Sequence, residues 1–245
     1  MRPTVDDGPM TTKPAPIWAR AFPGGIADAA GRHALWRDAV GRIVALRLES
    51  GQRLWRSDEV MAPLLLDARR ALALSFGPPR VVALALDSPD GAELWRSEPL
   101  PWPSWASALP GPTLGIELHA AWAGVAQALL SWRLHALHEG GAPLPRDRRP
   151  APAAGACTVD ADSGRLQMLA EWPQPPAARG EESATNDPSV LARATLDAID
   201  YRIVQQRAGD RLKTVLSAHD TVRNHRLWDC ELDEIVPRAP RALRP

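Results

Sequence analysis

The chain has 245 residues, 45% of them hydrophobic and 24% charged, with 29 basic residues against 29 acidic ones. That length can bury a full core, and a formal net charge of zero argues against a dedicated nucleic-acid binder, which carries a strong basic excess. No apolar run approaches the roughly 18 residues of a membrane span, and the N-terminal stretch holds Asp6 and Asp7 with no apolar core, so no secretory signal is visible.

In chain order, residues 1–25 read as an extended segment and residues 26–235 as one domain. The first clear element is IVALRLESGQRLWRS at 43–57: Val44, Leu46 and Leu48 alternate as a half-buried strand should, a polar turn follows, and Trp55 stands four positions after Gly51. VVALALDSPDGAELWRS at 81–97 repeats the design, with Val82, Leu84 and Leu86 on one face and Trp95 four positions after Gly91. Next comes EPLPWPSWASALPGP, a Pro-rich stretch in which Trp102 and Trp105 are candidate partner-binding residues. Residues 114–138 offer two patterns. Ile116, Leu118, Ala120 and Trp122, then Leu130, Trp132 and Leu134, alternate as strands, while Trp122, Val125, Leu129 and Trp132 also fit a helical stripe. The neighbouring strands and the interruption at Gly124 favour strands.

After a Pro- and charge-rich insertion at 139–155, ACTVDADSGRLQML at 156–169 carries the same turn with Gly164 and Met168. A second insertion follows at 172–189, then TVLSAHDTVRNHRLWDCEL at 214–232, where Asn224 and Trp228 hold the same spacing. Glycine and asparagine tolerate the left-handed backbone conformation, so a hairpin turn is expected in each unit. The chain closes on an extended basic tail at 236–245.

The anchors at 55, 95, 168 and 228 are spaced by 40, 73 and 60 residues; the first spacing fits a propeller blade directly, and the longer two fit once the inserted loops are subtracted. The segments ALRLESGQRLW, ALALDSPDGAELW and CTVDADSGRLQM resemble the pyrroloquinoline-quinone-type β-propeller repeat, whose blades end close to A-x-D-x-x-T-G-x-x-x-W. Ser50 and Ser163 stand where that family has Thr, and Pro89–Asp90 lengthen the second turn. The resemblance implies an all-β, β-propeller-like fold in which the tryptophan of one blade docks on the next. About four blade units are recognisable, so a small, degenerate or incomplete ring is expected. The blade anchors are Gly51, Trp55, Gly91, Trp95, Gly164, Met168, Asn224 and Trp228.

Catalytic signatures are sparse. G-x-S-x-G, H-E-x-x-H, Walker and C-x-x-C patterns are absent. Cys157 and Cys230 are too few for a disulfide scaffold or a multi-cysteine zinc site, and the default is a cytoplasmic protein with reduced thiols. The H-x-x-H pair of His135 and His138 has no acidic partner at ligand spacing, and Asp87, Asp160 and Asp220 read as turn caps. The expected function is therefore a non-catalytic scaffold or assembly subunit that binds a protein partner, with no cofactor, metal, nucleic acid or membrane insertion. Completion of an open sheet edge by another chain belongs to this reading. The alternative is a degenerate quinoprotein-like oxidoreductase, or another enzyme with its site on a propeller face.

Overall fold

A computed structural model describes residues 17–18, 20–22, 24–38, 41–76, 81–108, 114–136, 150–170, 190–208 and 211–235. Its strands are β1 Ile17–Trp18, β2 Arg20–Phe22, β3 Gly25–Ala27, β4 His33–Arg37, β5 Arg42–Arg47, β6 Gln52–Leu66, β7 Arg70–Ser75, β8 Val82–Asp87 and β9 Glu93–Pro99. One short helix, α1 Ser104–Ala108, precedes β10 Leu114–Trp122, β11 Gln127–Ala136, β12 Ala153–Asp160, β13 Leu166–Met168, β14 Val190–Leu196, β15 Ile199–Ala208, β16 Arg211–Asp220 and β17 His225–Ile235. Residues 121–138 resolve as strand wherever they are described, with a turn at Gly124.

All pairings are antiparallel between neighbours in sequence, except that β1 pairs with β10. The meanders divide into four blades. Blade 1 is β3–β4–β5 with the first half of β6, and blade 2 is the second half of β6 with β7–β8–β9. Blade 3 is β10–β11–β12–β13, and blade 4 is β14–β15–β16–β17. The fold is all-β and propeller-like. The 15-residue β6 serves two blades, outermost in one and innermost in the next, and its ladder to β7 shifts between Pro63 and Leu65. A proline supplies no N–H, so a shift at an inner edge costs the sheet little there. The N-terminal strands lie on inner edges: β1 pairs with β10 of blade 3, and β2 with β3 of blade 1.

Three apolar clusters fix the blade order. One joins blades 4 and 1 through Trp36, Val44, Leu46, Tyr201, Ile203 and Leu216. A second joins blades 1 and 2 through Leu35, Ile43, Ala45, Ala73 and Leu84. The third joins blades 2 and 3 through Leu72, Leu74, Leu130, Trp132, Leu134 and Val159. No such cluster joins blades 3 and 4 among the described residues. The apolar stack therefore runs 4–1–2–3. Blades 1 and 2 are apolar on both faces. On β5 the run Ile43–Leu46 is at most 2% exposed throughout, so the strand that reads as half-buried is buried twice over. Blades 3 and 4 each have a polar second face, with Glu117, His119, Ser131 and Arg133 on one and Arg193, Asp200, Arg202 and Ser217 on the other, where Asp200 is buried in ion pairs with Arg193 and Arg202.

Strands β1 and β2 and Gly25 fall within the stretch read as an N-terminal segment, and β12 begins at Ala153, inside the first insertion. The run Ala-Ala-Gly-Ala reads as loop, yet small side chains are what this strand needs, because a Cβ on Gly155 would lie 2.3 Å from the Trp132 ring. The rest of that insertion, the insertion at 172–189 and the tail at 236–245 lie outside the described residues, apart from residues 150–152.

Candidate interaction site at the blade junctions

In blades 1, 2 and 4 the last hairpin positions a tryptophan against a neighbouring blade. Gly51, Gly91 and Gly164 have φ of 68°, 77° and 73°, and their N–H groups close the turns onto the carbonyls of Arg47, Asp87 and Asp160 at 2.8–2.9 Å. The turn glycine of one blade meets the tryptophan of another. A Cβ on Gly91 would lie 2.6 Å from Trp55, one on Gly164 would lie 2.4 Å from Trp95, and one on Gly51 would lie 2.5 Å from Trp228. The indole N–H then donates to the carbonyl three residues before the glycine: Trp55 to Ser88 at 2.7 Å, Trp95 to Ala161 at 2.9 Å, and Trp228 to Leu48 at 2.9 Å. The last of these locks blade 4 onto blade 1, across 180 positions of sequence.

Arginines reinforce the junctions. Arg70 bonds the carbonyls of Ala161 and Val125, pairs with Asp162 and lies 5.6 Å over the Trp122 ring, tying blade 2 to blade 3. Arg53 bonds the carbonyls of Glu231 and Leu232, tying blade 1 to blade 4. A planar guanidinium offers several directed N–H groups, which a lysine cannot match at such sites.

Sequence reasoning missed the serine that follows each of two docking tryptophans by two places. The ladders of β5 and β8 skip a residue at Ile43 and Ala83. The freed N–H groups donate to Ser57 Oγ at 2.8 Å and Ser97 Oγ at 3.0 Å. The shared tetrapeptide Leu-Trp-Arg-Ser was the available signal; its last residue caps a bulge.

The fourth junction differs. Met168 stands where a docking tryptophan is expected and is 50% exposed, and Asn224 with φ 52° stands where the other turns have glycine. Both halves of the lock are replaced together. Asn224 keeps the turn shape, and Asp220 Oδ1 accepts from the N–H groups of Val222 and Arg223, so the Asp220 carboxyl titrates below its ordinary range. Asp160 caps its own turn through Ser163 in the same way and is lowered likewise. No hydrogen bond to the Thr221 carbonyl, the counterpart of Ser88, Ala161 and Leu48, is seen among the described residues. Val222 on this turn and Leu227 on β17 are 79% and 40% exposed.

Trp102 and Trp105 point the other way. Both are half-buried against the cluster of blades 2 and 3, and Trp102 lies 6.2 Å from Phe76. Of the thiols, Cys157 is buried, which pushes its pKa up to about 11, and burial also raises Cys230. Among the described residues, two surface grooves bear on these blades. One, of about 430 Å³, is lined by Arg32, His33, Arg47, Glu49 and Tyr201 between blades 4 and 1. The other, of about 440 Å³, lies on the outward face of blade 3 and includes Glu117, His119, Ser131 and Arg133. Among the described residues, no group of three or more His, Cys, Asp or Glu side chains is placed to hold a metal, and no helix is long and apolar enough to cross a membrane.

No family model and no curated protein matches the chain. Among solved structures it is similar to BamB from Moraxella catarrhalis, 15% identical with a TM-score of 0.38 over 84% of this chain and 51% of that one. It is also similar to the computationally designed Ika4 protein, at 13% identity and a TM-score of 0.34 over 81% and 88% of the two chains. A europium-containing methanol dehydrogenase matches at 10% identity and a TM-score of 0.23, over 82% and 60%. The chain spans about half the length of the BamB chain.

Proposed function

We propose that this chain is a non-catalytic propeller scaffold that binds a protein partner at the junction of blades 3 and 4, with repeats of the pyrroloquinoline-quinone type and a cytoplasmic location. The observation that carries the reading is the contrast among junctions. Three are closed by a tryptophan, a glycine and a backbone acceptor; at the fourth, Met168 and Asn224 replace the tryptophan and the glycine, and Met168, Val222 and Leu227 are exposed. Apolar side chains set in a polar surround suit a partner interface, where a few anchors supply most of the affinity. Trp102 and Trp105, packed inward, are less suited to that role.

The test compares the chain with a Met168→Asp, Val222→Asp double variant, both immobilised, for the proteins each retains. Partners recovered by the first and lost from the second, with unchanged circular dichroism and melting, support the reading. Identical recovery by both removes the interface from this junction.

A further inference from the structure

We propose that the outer edge of β12 is a strand-addition site that takes an extended polypeptide segment of a partner. The proposal rests on the interaction reading above and gives it a mode.

The outer strand of blade 3 is cut short. β9 has 7 residues and β17 has 11, whereas β13 has 3 and pairs only with Cys157–Val159. Beyond it Leu169 donates to the Ala156 carbonyl at 2.9 Å, and β12 then runs back to Ala153 with β11 on one side and no described strand on the other. The N–H and C=O of one strand residue point to the same side, and successive residues alternate. The outward Ala156 carbonyl therefore fixes its N–H as outward, and the N–H and C=O of Ala154 as outward too.

In blades 1 and 2 the N–H at the place of Ala156, eight positions before the turn glycine, is that of Ile43 or Ala83, each satisfied by a serine hydroxyl. The matching position in blade 3 holds Ala170, which has no hydroxyl. The edge thus offers two donors and one acceptor in strand spacing, with Ala156 itself only 5% exposed. Backbone groups buried without partners are rare in folded proteins, and an added strand satisfies them in full. Ala153, Ala154, Gly155 and Ala156 include no lysine, no proline and no bulge, and Pro152 bounds the open stretch on its N-terminal side. The groove of about 440 Å³ runs along the same residues and takes side chains that the alanines and glycine do not supply. The occupant is an extended peptide alongside Ala153–Gly155, with a small hydroxyl residue whose side chain reaches the Ala156 N–H beside Leu169, in the role that Ser57 and Ser97 play in their blades.

The experiment uses the full chain, a fluorescein-labelled heptapeptide of alternating Thr and Val with a central Ser, and the same peptide N-methylated at alternate residues. Ala154→Pro removes one outward donor and leaves the ladder to β11 intact, as edge prolines do. Expected are saturable binding by fluorescence polarisation and at least tenfold slower amide exchange at Ala154 and Ala156. Binding should be at least tenfold weaker for Ala154→Pro and for the N-methylated peptide. Absence of saturable binding, or equal binding of the two peptides to the unaltered chain, overturns the proposal even if Ala154→Pro fails to fold. Amides already protected in the free monomer overturn it in favour of the chain covering its own edge. A concentration-dependent dimer lost in Ala154→Pro overturns it in favour of a second copy. Any of these, with partner recovery still sensitive to Met168→Asp and Val222→Asp, leaves the interaction reading standing.

Discussion

Trp228 closes a junction between the two ends of the chain, and its removal isolates what such a lock is worth. Trp228→Ala and Trp55→Ala each lose a ring packed on a turn glycine and leave a carbonyl without its donor. Each is expected to cost about 3–5 kcal/mol, read from urea unfolding, whereas Met168→Ala, at the half-exposed position, is expected to stay below about 1 kcal/mol. Equal losses at all three positions would mean that the fourth junction is locked as well. The serine caps make a second case. Ser97→Ala leaves the bulged Ala83 N–H buried without an acceptor and is expected to cost about 1–3 kcal/mol. A melting curve matching that of the unaltered chain would show that water replaces the hydroxyl. The tryptophans were legible because spacing of four after a turn residue is a regular signal. The serines were not, because a cap acts only where the ladder slips, and a slip in register leaves no mark on hydrophobic alternation.

Strands carry the next level. β5 and β8 read as half-buried because Val44, Leu46, Leu84 and Leu86 alternate, but Ile43, Ala45, Ala83 and Ala85 fill the opposite face against another blade. Alanine is too small to announce a buried face in a sequence, yet it is what closely stacked blades admit. Between strands, Glu59 on β6 accepts from Arg96 on β9 at 2.8 Å and from Ser75 on β7 at 2.8 Å, bonds that hold its carboxyl below the ordinary value near 4.5. A lowered folded-state pKa contributes stability above the unfolded value, and that contribution is lost as pH falls through the folded value. The pair is largely exposed, so the effect is small. Melting temperature followed from pH 6 to pH 3 is expected to fall less steeply for Glu59→Gln than for the unaltered chain. Parallel curves would show that the Arg96 contact forms without consequence.

At the scale of the molecule, the order 4–1–2–3 explains why the two outward faces are polar. A blade between two others must be apolar on both sides, and a terminal blade on one. The sequence carries this in the pairing of Glu117 and His119 with Ser131 and Arg133, but chain order alone does not tell which blades stand at the ends, because nothing local shows that the last blade docks on the first. The unlocked junction can be tested by building the lock. Met168→Trp with Asn224→Gly restores both halves and offers the indole the Thr221 carbonyl. The two changes are expected to stabilise non-additively, by about 0.5–3 kcal/mol in a double-mutant cycle, with blue-shifted fluorescence from the new tryptophan relative to the Met168→Trp single variant. A new tryptophan that stays solvent-exposed would show that blades 3 and 4 do not meet.

The docking of Trp228 on Leu48 also sets a timetable. During synthesis Trp36, Val44, Leu46 and Leu48 of blade 1 emerge before Leu196, Tyr201, Ile203 and Leu216, the blade 4 residues they pack with. Until blade 4 has been synthesised, that apolar face lacks its partner. A nascent chain of this design keeps an adhesive face until blade 4 forms, and closing a loop of some 180 residues is slow on topological grounds. Termination before β14 would leave that face without the blade it packs against. Such a product is a natural client for chaperones and proteases, although its first three blades are complete in sequence.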